Sequence, residues 1–67
     1  MSDKNIIGQR LKSLRGEETI EKVASDIGIS PSALGMYEIG QRVPRDEIKV
    51  KLAQYFNTSV EAIFFAQ

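Results

Sequence analysis

The chain has 67 residues, and its nine Lys and Arg side chains are balanced by nine Asp and Glu, giving a net charge of zero. That length fits one domain, residues 1–67, with a modest core and a thin margin of stability. Cysteine and histidine are both absent, which excludes a disulfide framework and a thiolate metal site and removes the commonest catalytic base and metal ligand.

No apolar run approaches the ~20 residues of a membrane span, and the N-terminus lacks a secretory apolar region. A cytoplasmic protein with no membrane partner is expected. Residues 1–4 are expected to form a flexible end. Ile7, Leu11 and Leu14 then fall at i, i+4 and i+7, which predicts a first helix over residues 5–15 with these three on its buried face. Gly16 stops it, and Glu17 and Glu18 make a short polar link.

Residues 19–38 read T-I-E-K-V-A-S-D-I-G-I-S-P-S-A-L-G-M-Y-E. Thr19 is the expected N-cap of a second helix whose apolar face is Ile20, Val23, Ala24 and Ile27. Gly28 can take φ > 0 and end that helix sharply. Ser30 and Pro31 suit the N-cap and first position of a third helix, residues 31–38, with Leu34 and Tyr37 inward. Helix, tight turn, helix is the helix-turn-helix pattern.

Residues 39–44 are a predicted loop, in which Gly40 allows an unusual backbone angle and Pro44 blocks helix continuation. A fourth helix over residues 45–56 is expected to bury Ile48, Leu52, Ala53 and Phe56, with Asn57 ending it. Thr58 and Glu61 have the spacing of a capping box, opening a short fifth helix that buries Val60, Ile63 and Phe64.

Three stretches beside the central one carry a family resemblance: I-G-Q-R-L-K-S-L-R at 7–15, M-Y-E-I-G-Q-R-V-P-R at 36–45 and K-L-A-Q-Y-F-N-T-S-V-E-A-I-F at 51–64. In that order and spacing the chain resembles the phage-repressor-like, or lambda-repressor/Cro-like and Xre-type, helix-turn-helix regulators. The resemblance implies an all-α fold, a compact five-helix DNA-binding domain with the motif at helices 2 and 3. It also implies a transcription regulator, a repressor acting as a homodimer on a palindromic operator in double-stranded DNA.

In such a motif the second helix enters the major groove and its N-terminal residues meet base edges. That directs Ser30, Pro31, Ser32, Ala33, Gly35 and Met36 toward DNA. The serines can donate or accept, and Ala33 or Met36 can touch a thymine methyl. The usual bidentate readers, Arg, Gln and Asn, are missing before Gln41, so shape, water and flanking residues carry more of the readout. The resemblance implies phosphate contacts from Arg42 and Arg45, with Gln41 beside them, and Thr19 and Lys22 can reach the backbone from the second helix.

It further implies an ion pair between Arg15 and Glu38 that locks the third helix. Two positions depart from the family's habit: Ile20 stands where a phosphate-binding glutamine is common, and Ile39 where asparagine is common, which suggests a different loop conformation. Phe64 and Phe65 cannot both face the core of one helix, so with Tyr55 they are the expected two-fold dimer contact.

Cations cluster before and after the motif, whereas residues 16–40 hold Lys22 alone against Glu17, Glu18, Glu21, Asp26 and Glu38. Binding should therefore be modest and strongly salt-dependent. The same neutral charge and bare third helix admit an alternative, a protein-interaction module such as an antitoxin or adaptor. No nucleophile–base pairing is legible, so no enzyme, cofactor, metal or small-molecule ligand is expected.

Overall fold

Helix α1, Lys4–Arg15, opens a computed structural model that describes residues 3–66. Asp3 caps it by accepting the Ile6 N–H at 2.9 Å, so the helix starts inside the stretch expected to be flexible. Met1 and Ser2, the rest of that expected end, lie outside the described residues. After α1 come α2 (Ile20–Ile27), α3 (Pro31–Glu38), α4 (Asp46–Tyr55) and a short π-helical segment, α5 (Glu61–Phe65). The described residues form no strand.

One apolar cluster draws on every helix: Ile7 and Leu11 of α1, Val23, Ala24 and Ile27 of α2, Leu34 and Tyr37 of α3, Leu52 and Ala53 of α4, and Ile63 and Phe64 of α5. Ile48, Phe56 and Val60, expected inside it, are half-buried at its edge. Leu14 is 39% exposed, which corrects its place on the buried face of α1. The inward line of α1 runs Ile7, Leu11, Arg15 at i+4 steps, and Arg15 takes the last inward position for its ion pair. Leu14 instead edges a groove between α1 and α5, with Ile6, Thr58 and Ala62.

Three helices close with the same left-handed device. Gly28 takes φ 81°, Gly40 φ 78° and Asn57 φ 58°, and in each case the next N–H bonds the carbonyl five residues back. Because Gly40 takes the left-handed position, Ile39 keeps φ −92° and ψ 4°, angles open to a β-branched residue. Its side chain therefore requires no change of loop.

The expected capping box does not form, and Ser59 alone bonds into the first turn. The Thr58 N–H is spent on the Ala53 carbonyl at 2.9 Å, and Ser59 Oγ accepts the Ala62 N–H at 3.0 Å in its place. The widened turn, closed by Ala66 N–H to Glu61 O at 2.8 Å, puts Ile63 and Phe64 together into the core.

Gly8 is the tightest crossing. A Cβ there would be driven into the Glu38 carbonyl oxygen and to 2.8 Å from the Tyr37 oxygen. Backbone thus rests on backbone where α1 crosses the end of α3, a contact only glycine permits.

Candidate nucleic-acid interface

Helix α3 is held from both ends. Ser30 Oγ accepts the Ala33 N–H at 3.0 Å and Pro31 occupies the first turn, where a missing N–H costs nothing. At the other end Arg15 Nε donates to Glu38 Oε2 at 2.6 Å and Nη2 to Oε1 at 3.0 Å. This two-point pair is largely withdrawn from water, and it fixes both the depth and the rotation of α3. The carboxylate also holds the Arg15 guanidinium above its ordinary pKa, so its charge is permanent.

With Leu34 and Tyr37 inward, Ser30, Pro31 and Ser32 are exposed, and Gly35 and Met36 are half-buried. Ala33 is turned partly onto the core, which makes it the least available of the six. Ser30 accepts through oxygen when it caps, which leaves its own O–H free to rotate and donate. Capping and contact are compatible in one residue. Thr19 is in the same state, with Oγ1 accepting the Lys22 N–H at 3.0 Å.

Past the end of α3, Gln41, Arg42 and Arg45 are all exposed. Arg45 is the α4 N-cap residue and gives no side-chain cap, leaving the first amides of α4 to outside acceptors. Its guanidinium lies 3.7 Å from the Glu47 carboxylate, and both side chains are highly exposed, a pairing of little strength.

Lys22 is differently placed. Its Nζ bonds Asp26 Oδ2 at 2.8 Å and lies 3.8 Å from Glu18 Oε1, so its charge is committed within α2. Ile20, the position lacking the usual glutamine, is a half-buried neighbour of the core.

The three aromatic residues expected at a dimer contact separate. Phe64 is 2% exposed and belongs to the core of the single chain, which corrects its assignment to a surface contact. Phe65 is 58% exposed, with the Lys49 ammonium 5.0 Å from its ring centre. Tyr55 is half-buried, and its hydroxyl donates to Glu18 Oε1 with Asp26 Oδ2 at 3.2 Å. That bonding turns it toward α2.

Sequence reasoning missed two ties. Arg10 donates from Nη1 to the Ile63 carbonyl at 2.8 Å and from Nη2 to the Ala66 carbonyl at 2.7 Å, stapling α5 to α1. Nothing local announces a bond across more than fifty positions. Gly8 did leave a signal, since a glycine inside a strongly periodic helix calls for a packing reason.

Among the described residues no helix is long and apolar enough to cross a membrane, and no acidic cluster has the make-up of a metal site. The helix-turn-helix family model (HTH_3) matches residues 11–63. Among solved structures, the restriction-modification controller protein C.AhdI from Aeromonas hydrophila is similar at 31% identity and TM-score 0.81, over 90% of this chain and 94% of that one. The solution structure of an SOS-response transcriptional repressor, LexA, from Eubacterium rectale is similar at 28% identity and TM-score 0.87, over 100% of this chain and 77% of that one. No curated protein sequence matches significantly. The chain belongs to the helix-turn-helix family of Xre/lambda-repressor-like DNA-binding regulators.

Proposed function

We propose that the protein is a sequence-specific transcription regulator that binds a palindromic operator as a homodimer and represses by occupying it. One observation carries this reading. A capped, ion-pair-locked helix presents Ser30, Pro31 and Ser32 to the outside, and two exposed arginines, Arg42 and Arg45, stand just beyond its end. Base-facing hydroxyls flanked by phosphate-seeking guanidiniums are the two parts such recognition needs.

Two-fold symmetry follows from the operator geometry of helix-turn-helix proteins, and exposed Phe65 is the apolar residue available near the end of the chain. Repression is supported by the LexA neighbour, which is a transcriptional repressor, and regulation more broadly by the controller protein. The test is selection from a random-sequence duplex pool, in which a two-fold symmetric sequence is the expected product.

A second reading, a protein-binding module on the same scaffold, has one observation in its favour. Lys22 is tied to Asp26 and Glu18, leaving α2 with an acidic outer face that phosphates would avoid. A folded protein that enriches no duplex would favour it.

A further inference from the structure

Tyr55 packs its ring at the edge of the core and joins its hydroxyl to a set of polar side chains away from the outer face of α3. Tyr55 is the last residue of α4, with its ring edge-on to Phe56 at 5.1 Å. Its hydroxyl meets Glu18, just before α2, and Asp26, in the last turn of α2. Lys22, between them on α2, bonds Asp26 and faces Glu18. The single phenol proton goes to Glu18, just before α2, and Asp26 flanks the hydroxyl from the last turn, so one group bears on both ends of the short helix.

The set continues into the recognition helix. The Glu18 carbonyl accepts Arg15 Nη1 at 2.7 Å, and the same guanidinium grips Glu38 at the end of α3. Hydrogen bonds at both the side chain and the backbone of Glu18 therefore link the C-terminus of α4, through the α1–α2 link and Arg15, to α3. Arg45, at the opposite end of α4, is about 15 Å from Tyr55 along a ten-residue helix. Tyr55 thus stands well apart from Arg45.

We propose that Tyr55 is a positioning residue for DNA binding: its hydroxyl, donated to Glu18 beside Asp26, fixes α2 and α3 against α4 so that the base-facing side chains and Arg45 meet the duplex in one set relation. The role rests on the DNA-binding reading above. Base contacts sit on α3 and the Arg45 contact on α4, and neither element alone sets the spacing between them. Groups that must engage together bind well only when their relative placement is held in advance. The phenol is also held above its ordinary pKa, chiefly by the Glu18 hydrogen bond, as expected of a hydroxyl committed to a carboxylate.

The test compares the wild-type chain with Tyr55→Phe, Glu18→Ala and the double variant. The probes are the duplex that wild type enriches from a random pool and a mixed-sequence duplex. Tyr55→Phe keeps the ring and its packing and removes only the hydroxyl. Its affinity for the enriched duplex is expected to fall by up to about fivefold, the full worth of one hydrogen bond, with the salt slope unchanged because every phosphate contact remains. The double variant should lose little more than either single one.

Equal affinity of Tyr55→Phe and wild type, with both folded at the assay temperature, would overturn the positioning role and leave DNA binding standing. Independent, additive losses in the double variant would also overturn it. Failure of wild type to enrich or bind any duplex would overturn the DNA-binding reading, and this role with it.

Discussion

Arg15 and Glu38, twenty-three positions apart, meet in a two-point ion pair with side chains only 15% and 5% exposed. Breaking such a pair strands a charge out of water. Glu38→Ala should lower stability by about 3 kcal/mol, read as a drop in the denaturant midpoint at unchanged slope. On so short a chain that is a large share of the total.

Two glycine replacements should act in opposite directions. Gly8→Ala forces a methyl into the Glu38 and Tyr37 carbonyls at the α1–α3 crossing, where neither backbone can yield easily. A loss at the upper end of the ~1–3 kcal/mol range for overpacking is expected. Gly35 lies inside α3 with open space where its Cβ would stand and no positive φ to require it. Gly35→Ala should stabilise the protein by about 0.5–1 kcal/mol. Paired thermal melts decide both, and a shift of the same sign in the two variants would contradict the packing described.

Much of this was legible in the sequence. The caps at Thr19 and Ser30 and the glycine turn between them are set by bonds no more than five residues long, and the inward pair Leu34 and Tyr37 by helical spacing, all of which local pattern reports well. The misreadings arose where a competing bond claimed the position. Leu14 fitted a helical period, yet Arg15 holds the inward place because its partner lies on another helix. Thr58 fitted a capping box until its N–H was claimed by the close of α4. At the candidate interface, residue types suggested which side chains seek phosphate; the capture of Lys22 by Asp26 is a local i, i+4 pair within α2, whereas that of Tyr55 by Glu18 depends on how α4 lies against α2.

Stability should fall toward both pH extremes through the Tyr55 cluster. Lys22 holds the Asp26 carboxyl below its usual 3.8, so the unfolded chain binds the more protons in acid and stability is lost as pH drops through the folded value. Glu18 holds the Tyr55 phenol above 10.0, and Asp26 likewise raises the Lys22 ammonium. There the folded chain binds the more protons, so this contribution is complete below the unfolded values and is lost as pH rises through the folded ones. Asp26→Asn should flatten the acid limb of a stability–pH curve and Tyr55→Phe the alkaline one.

Phe64 and Phe65 should separate fold from assembly. Phe64→Ala removes a core side chain and should cost about 3–5 kcal/mol. Phe65→Ser should leave a folded chain and, on the homodimer proposal, shift sedimentation toward the monomer. An unchanged sedimentation coefficient for Phe65→Ser would place any dimer contact elsewhere.

The central claim is recognition of a specific duplex by α3 with Arg42 and Arg45 on its flanks. Selection and sequencing from a random duplex pool, at low and at moderate salt, tests it most directly. The expected result is enrichment of one two-fold symmetric site. Arg42→Ala should weaken binding to all duplexes and lower the salt slope by about one phosphate, while Ser32→Ala relaxes sequence preference. A folded protein that enriches nothing even at low salt would contradict the claim.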